Sequence, residues 1–325
     1  EGRHAMSVGT SAGYDNLSSG KWNPSIYSQK VLKFFRRASV AEAITNTDYS
    51  GEIENFGDTV KIIKEPTVTV SSYTRGAVVN TQDLTDTEIT LTVDQGNYFA
   101  FKVDDIEERQ SHVNWESLAT SSGAFSLKKA FDYNILKEIN DSAVQGTATT
   151  DTGAAGAAIS CNTGNEAANV LARFAQQLDA NDVPQENRWF VANSGFYEIL
   201  KQADAKLMDA SVTGEDMSAL MNGAVTARKI HGFTLYQTNV IQTGSAGTAA
   251  TFTFGPSATS GETTVLGGHI SAVCTASHIA KTEVIRDPDS FADIVRGLHV
   301  FGRKVLKGSG TGYKGVLQGV VDLNT

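Results

Sequence analysis

Catalysis and metal binding need particular side chains at particular spacings, and this sequence offers few. Of its six histidines, none of His112, His231, His269, His278 and His299 stands at ligand spacing from another, so each reads as an ordinary surface or core histidine. The sixth, His4, lies in Glu1-Gly2-Arg3-His4-Ala5, which ahead of Met6 reads as a protease-site remnant of an expression vector. Cys161 and Cys274 are far apart and lack CxxC spacing, which points to two buried free thiols rather than a disulfide framework or a thiolate metal site. Asp287, Asp289 and Asp293 offer oxygens to a cation, but Pro288 between the first two favours a turn and a helix cap. The run Gly308-Ser-Gly-Thr-Gly312 has backbone amides that could cradle a phosphate; without a following lysine or a clear helix start it reads as a turn between strands. No Walker loop or HExxH helix is present. The expectation is a chain without catalytic residues, metal or cofactor.

The elements are more informative than the side chains. Between Asp104 and Gln145 no proline occurs, and from about His112 the residues Leu118, Phe125, Phe131, Ile135 and Ile139 return at helical spacing. Some thirty residues make a rod of roughly 45 Å, too polar to span a membrane. Gly123 and its neighbouring serines are where a bend is expected. Lys128 and Lys129 with Asp132, and Lys137 with Asp141, read as exposed pairs on a solvated face. The carboxylates Asp104, Asp105, Glu107 and Glu108 sit where a helix N-terminus favours negative charge.

Before the rod, residues 6 to 24 are Ser, Gly and Asn-rich and read as an arm. From Ser25 to about Ala43 an apolar stripe of Val31, Leu32, Phe35 and Val40 faces a basic side of Lys30, Lys33, Arg36 and Arg37, a helix that needs a surface to lie on. From Gly51 to Asp94 the period changes to two. Val60 and Ile62, Val68 and Val70, then Ile89, Leu91 and Val93 alternate with polar residues, giving a long two-stranded ribbon with a polar tip at Tyr73 to Asp86 and a turn at Arg75-Gly76. A lone ribbon is marginal in water, so a neighbouring subunit is the expected support. Asn97 to Val103 reads as a buried strand.

After the rod, Gly146 to Gly164 is a Thr, Ala and Gly linker. A helix at Asn165 to Ala180, a strand at Arg188 to Asn193, a helix at Ser194 to Gln202 and a strand at Phe233 to Gln237 make an α+β unit. Strands return at Thr251 to Phe254, His269 to Cys274 and Ile294 to Leu323. With 27 basic and 36 acidic residues the net charge is -9, which argues against a broad nucleic-acid grip. No signal peptide or membrane-length apolar run is visible, so cytoplasmic synthesis is expected.

The order of these parts resembles the major capsid proteins of tailed phages, the Hong Kong 97 coat fold. Its marks are Gly57-Asp58-Thr59-Val60 opening the ribbon, Asp94 to Asp104 leading into the long helix, Arg188-Trp-Phe-Val-Ala-Asn193 before a helix, Gly232-Phe-Thr-Leu-Tyr236 with Asn239, and Val300-Phe-Gly-Arg-Lys304. The resemblance implies an α+β fold with an N-terminal arm (6–50), an E-loop ribbon (51–95), a P-domain strand and spine helix (96–146), a linker and A-domain (147–275) and returning P-domain strands (276–325). It implies a non-enzymatic subunit that assembles with itself into pentamers and hexamers of an icosahedral shell around double-stranded DNA, in a host bacterial cytoplasm, with arm and ribbon lying across neighbours.

Other partners implied are a separate scaffolding protein, a portal and a decoration protein, with packaged DNA nearby and no membrane. Candidate interface residues are Arg36, Arg37, Lys61, Lys64, Arg75, Asp83 and Asp86. Some members crosslink a ribbon lysine to an asparagine of a neighbour; with arginine at the tip here, that reaction is not expected. The nearest alternative is an encapsulin-like cargo compartment of the same fold. From another class, an enzymatic or small-molecule site in residues 165 to 275 would be recognised by a pocket with a perturbed histidine or carboxylate at its centre.

Overall fold

The computed structural model describes residues 39–49, 59–66, 68–76, 78–79, 81–84, 87–104, 115–147, 151–202, 229–241, 253–255, 261–309 and 313–323. The expected arm and most of the basic helix at 25 to 43, with Arg36 and Arg37, lie outside these residues, as do Asp86, Asp105, Glu107, Glu108 and His112. Of that helix only its end, α1 (Ala41–Ile44), is described.

The rod is one continuous helix, α2 (Trp115–Ser142), whose 28 residues extend about 42 Å. Gly123 does not break it. A Cβ on Gly123 would stand 2.8 Å from the ring of Phe99, and a Cβ on Gly297 would stand 2.4 Å from the same ring. The two glycines therefore form the seat of Phe99 between helix and sheet. The rod stops at Ser142, three residues short of the expected Gln145. There the Ala143 amide still bonds to Ile139 O at 2.9 Å, and Val144–Gln145 becomes strand β4, parallel to the end of the chain.

Under the rod lies an antiparallel sheet of β3 (Gln95–Asp104), β10 (Ala292–Val305) and β9 (Val273–Arg286), in that order. Phe99 opposes Gly297 in its register, and Phe101 opposes Val295. Strand β3 is half-buried rather than buried, with Tyr98 77 % exposed, because the rod covers one face of the sheet and the other is open. The turn Asp287 to Ser290 joins β9 to β10. Asp287 Oδ1 accepts from the Asp289 amide at 3.1 Å and Oδ2 from Ser290 Oγ at 2.7 Å, so this aspartate caps a hairpin turn, and no helix follows it.

A second sheet, ordered β4–β11–β8–β6–β7 with β5 (Ile159–Ser160) also on β11, forms the other half. Its strands are β6 (Arg188–Ala192), β7 (Phe233–Gln237), β8 (Glu262–His269) and β11 (Val316–Asp322). Strand β11 bonds along its length to β8, in this sheet rather than beside β10. All five residues of β6 are buried. Period two explains this: Trp189 and Val191 enter the core under α2, with Ile135, Leu136, Ile139 and Val305, while Phe190 and Ala192 enter a second core with Phe174, Phe196 and Val265.

Two helices close that second core. Helix α3 (Gly164–Asp179) starts with a capping box, in which Thr163 Oγ1 accepts from the Glu166 amide and the Glu166 carboxylate accepts from the Thr163 amide. Helix α4 (Ser194–Leu200) is capped by Asn193 Oδ1, which accepts from the Phe196 amide at 2.9 Å. Thr251 to Phe254 is not a described strand: Phe254 makes only a single bridge, to Ile241.

Candidate functional site

The ribbon ladder is short: β1 (Thr59–Ile63) pairs with β2 (Glu88–Thr92), and the Lys64 amide bonds on to Thr87 O at 2.8 Å. Its root is supported by its own chain, where a neighbouring subunit was the expected support. Leu91 and Val93 are fully buried in a cluster with Cys274, Ala276, Val300 and Leu306, against which Tyr49, Val60 and Ile62 also pack. The sequence does not reveal this, because β9 and β10 lie some two hundred residues further on.

Beyond the ladder, Val68 and Val70 do not join a strand as expected; they are 66 % and 92 % exposed. Tyr73, Val78, Val79 and Leu84 are exposed as well. The expected turn is present, with Gly76 at φ +88°, where a residue without Cβ is favoured. Six large apolar side chains standing in solvent on one limb are a surface that water disfavours and a partner would cover.

Of the proposed contact residues, Lys61, Lys64, Arg75 and Asp83 are described, all on the ribbon. Lys61 is engaged in a rung across the ribbon, its Nζ 2.8 Å from Glu88 Oε1 with both side chains more than half exposed, a pair worth under about 1 kcal/mol. Lys64 lines the cleft at the ribbon root. Arg75 and Asp83 are exposed on the distal limb, away from the ladder, and Arg36, Arg37 and Asp86 are outside the described residues.

Sequence reading missed the fastening of the arm. Asp132, expected on a solvated face, is buried; its carboxylate accepts from Ser39 Oγ at 2.5 Å and from the amides of Val40 and Ala41, each at 3.3 Å. Lys128 reaches Glu42 on the same segment at 3.1 Å. The Asn46 amide then donates to Val273 O, and the Thr275 amide to Asn46 O. Asp132→Ala would leave two buried amides without this acceptor. The expected result is a loss of about 1–3 kcal/mol in urea unfolding and faster amide exchange at Val40 and Ala41.

Two histidines lie in recesses. His269 Nδ1 accepts from the Ser271 amide at 3.1 Å and stands 2.7 Å from Ser271 Oγ, which Lys307 Nζ approaches to 3.2 Å. This group borders a cleft of about 710 Å³ between the ribbon root and the turn after α3. Both Ser271 contacts on Nδ1 hold the short 3-10 turn Ile270–Ala272, so the ring is occupied as a cap rather than free to act as a base. His299 packs between Phe131 and Phe301, at 5.4 and 5.2 Å, and bonds to Ser277 Oγ at 2.7 Å.

Burial pushes both imidazoles below their ordinary value, helped at His269 by Lys307 and opposed at His299 by Glu42. A folded pKa below the unfolded one means the fold prefers the neutral ring. The stabilisation is full above the unfolded value of about 6.5 and is lost as the pH falls through the folded values. The urea midpoint should therefore fall between pH 7.5 and 5.5, and fall less in the His269→Gln/His299→Gln protein.

Among the described residues no group of three or more His, Cys, Asp and Glu side chains could hold a metal ion, and no helix is long and apolar enough to cross a membrane. Both thiols are buried, with Cys161 pushed up to about 12 and Cys274 to about 11, by burial first. Asp287 is held well below the usual carboxylate range by its bond from Lys102, then by Ser290 and the Asp289 amide. Two glycine patterns escaped the motif reading. Gly9-Thr-Ser-Ala-Gly13 spells GxSxG outside the described residues. Gly310 to Gly315 spells GxGxxG, but strand β11 follows it where a phosphate-binding motif needs a helix.

No protein-family model and no curated protein sequence matches the chain. Solved structures do. A chain of Mycobacterium phage Che8 aligns with a TM-score of 0.73 at 23 % identity, over 93 % of this chain and 98 % of that one. A chain of the cyanophage P-SCSP1u capsid gives 0.66 at 18 %, over 93 % and 94 %. One from the cyanophage Pam1 capsid gives 0.67 at 13 %, over 95 % and 99 %. The chain is thus α+β with the Hong Kong 97-type phage capsid fold over nearly its whole length.

Proposed function

We propose that this chain is a major capsid protein, a structural subunit without catalysis that assembles into pentamers and hexamers of an icosahedral shell enclosing the double-stranded DNA of a tailed phage. The observation that carries the reading is the ribbon, rooted in the chain's own core and extending an apolar limb that its own chain leaves in solvent. In a closed symmetric ring each such limb has a neighbour to cover it, and contacts that are weak singly become strong when a joining subunit makes several together. The arm, E-loop, P-domain and A-domain divisions given above, shell assembly in a bacterial cytoplasm, and a scaffolding protein, portal and decoration protein as partners belong to the same proposal. The net charge of -9 suits a wall that surrounds DNA without gripping it.

The test is particle mass by light scattering with negative-stain microscopy, for the full chain and for one in which residues 65–86 are replaced by Asn-Gly. The two-residue turn keeps the ladder while removing the limb. Shells, pentamers or hexamers from the full chain and a folded monomer from the short one are expected. Monomers from both would overturn the proposal.

A further inference from the structure

The helix-side face of the small sheet is only half covered. Helix α2 lies over β3 and β10, but on β9 Ser277 and Thr282 are exposed and Val284 is 54 % exposed on that same face. Between them and the flank of α2 runs a groove of about 500 Å³, lined by Phe99, Gly297 and His299 from the sheet, Thr120, Ala124 and Leu127 from the helix, and Glu42 and Thr45. An apolar trough beside a helix and on a sheet has the shape of a seat for a second helix.

We infer that residues 25–38 of the same chain fill this groove as an amphipathic helix lying alongside α2. Three observations on the molecule select this occupant. The described chain begins at Ser39, tied to Asp132, the residue after Phe131 of the groove's lining, so the preceding residues start beside the groove. From Thr120 to Phe131 the wall is twelve residues of helix, about 18 Å, and residues 25–38 as helix would span about 21 Å. Val31, Leu32 and Phe35 form one stripe in that segment, opposite Lys30, Lys33, Arg36 and Arg37, so the apolar side can face Ala124 and Leu127 while the basic side stays in water. Running towards Ser39, the segment is parallel to α2, which sets Leu32 near Ala124. The inference does not rest on the shell reading, and it differs from the expectation that the whole arm crosses to a neighbour.

The experiment is mild oxidation of full-length Leu32→Cys/Ala124→Cys, read on non-reducing gels and by free-thiol counting, with Leu32→Cys/Ser122→Cys as the control on another side of α2. The native thiols are both buried and compete little. A bond within one chain in most molecules, at least several-fold more than in the control, is the expected result. Bonds between chains would overturn the inference in favour of docking on another copy, and no bond would overturn it outright. Should the pair not fold, maleimide labelling of Thr282→Cys decides instead. It should be several-fold slower than in the Val31→Asp/Phe35→Asp background, and equal rates would overturn the inference.

Discussion

Phe190→Ala lowers the stability of the unassembled chain by about 4 kcal/mol, read as a drop in the urea midpoint with little change in slope. Phe190 is fully buried and is the ring on which the second core converges: Phe174 meets it edge-on at 5.2 Å, Phe196 at 5.5 Å and Phe233 at 6.0 Å. Those rings come from α3, α4 and β7, so no single element can move in to fill the space. The side is also tightly lined, since a Cβ on Gly267 would stand 2.8 Å from Phe174 and 3.3 Å from Phe190. Phe190→Leu, which keeps most of the volume, should lose less than half as much.

The second large effect is expected at Arg188, whose side chain is 2 % exposed. Its Nε donates to Pro184 O at 2.9 Å, and Nη2 donates to Asp179 Oδ1 at 2.6 Å and to Val183 O. It thereby fixes the reversal from α3 into β6, where Asp182 and Asn187 take positive φ. Arg188→Ala removes three bonds and leaves a gap, for an expected loss of about 3 kcal/mol. Asp179 is about half exposed, so water replaces its contact, and Asp179→Ala should cost under about 1 kcal/mol. Urea midpoints of the two variants separate these cases; similar losses would mean that the ion pair, not the carbonyl bonds, holds the turn.

What was legible in the sequence follows the range of the interactions. Arg188 to Ala192 announces itself locally, by an apolar run ahead of a helix, and folds as read; the capping box of Thr163 and Glu166 is as local, but only the structure brought it out. The long helix was legible from its period, but its end was not, because what stops it is a parallel pairing with Leu317 and Gln318. Gly123 looked like a weak point when taken alone; only its apposition to Phe99 and Gly297 shows why a side chain there would clash. Asp132 looked solvated because the segment that buries it is ninety residues earlier. Lys61 has a partner hidden from the sequence for the same reason: Glu88 is across the ribbon. The apolar limb was half legible, in Val68 and Val70, while Val78 and Val79 have no alternation to betray them.

The same small cluster that roots the ribbon also receives Tyr49 from the arm side, and Cys274 within it is bridged to Asn46. Residues 46–49 and the ribbon therefore meet at one fulcrum. The ladder alone extends about 17 Å from that point, so in the proposed shell a neighbour pressing on the far limb would apply its torque where residues 46–49 are anchored. In the proposed shell, a load taken up by the ribbon would reach the arm root through a pivot a few side chains wide.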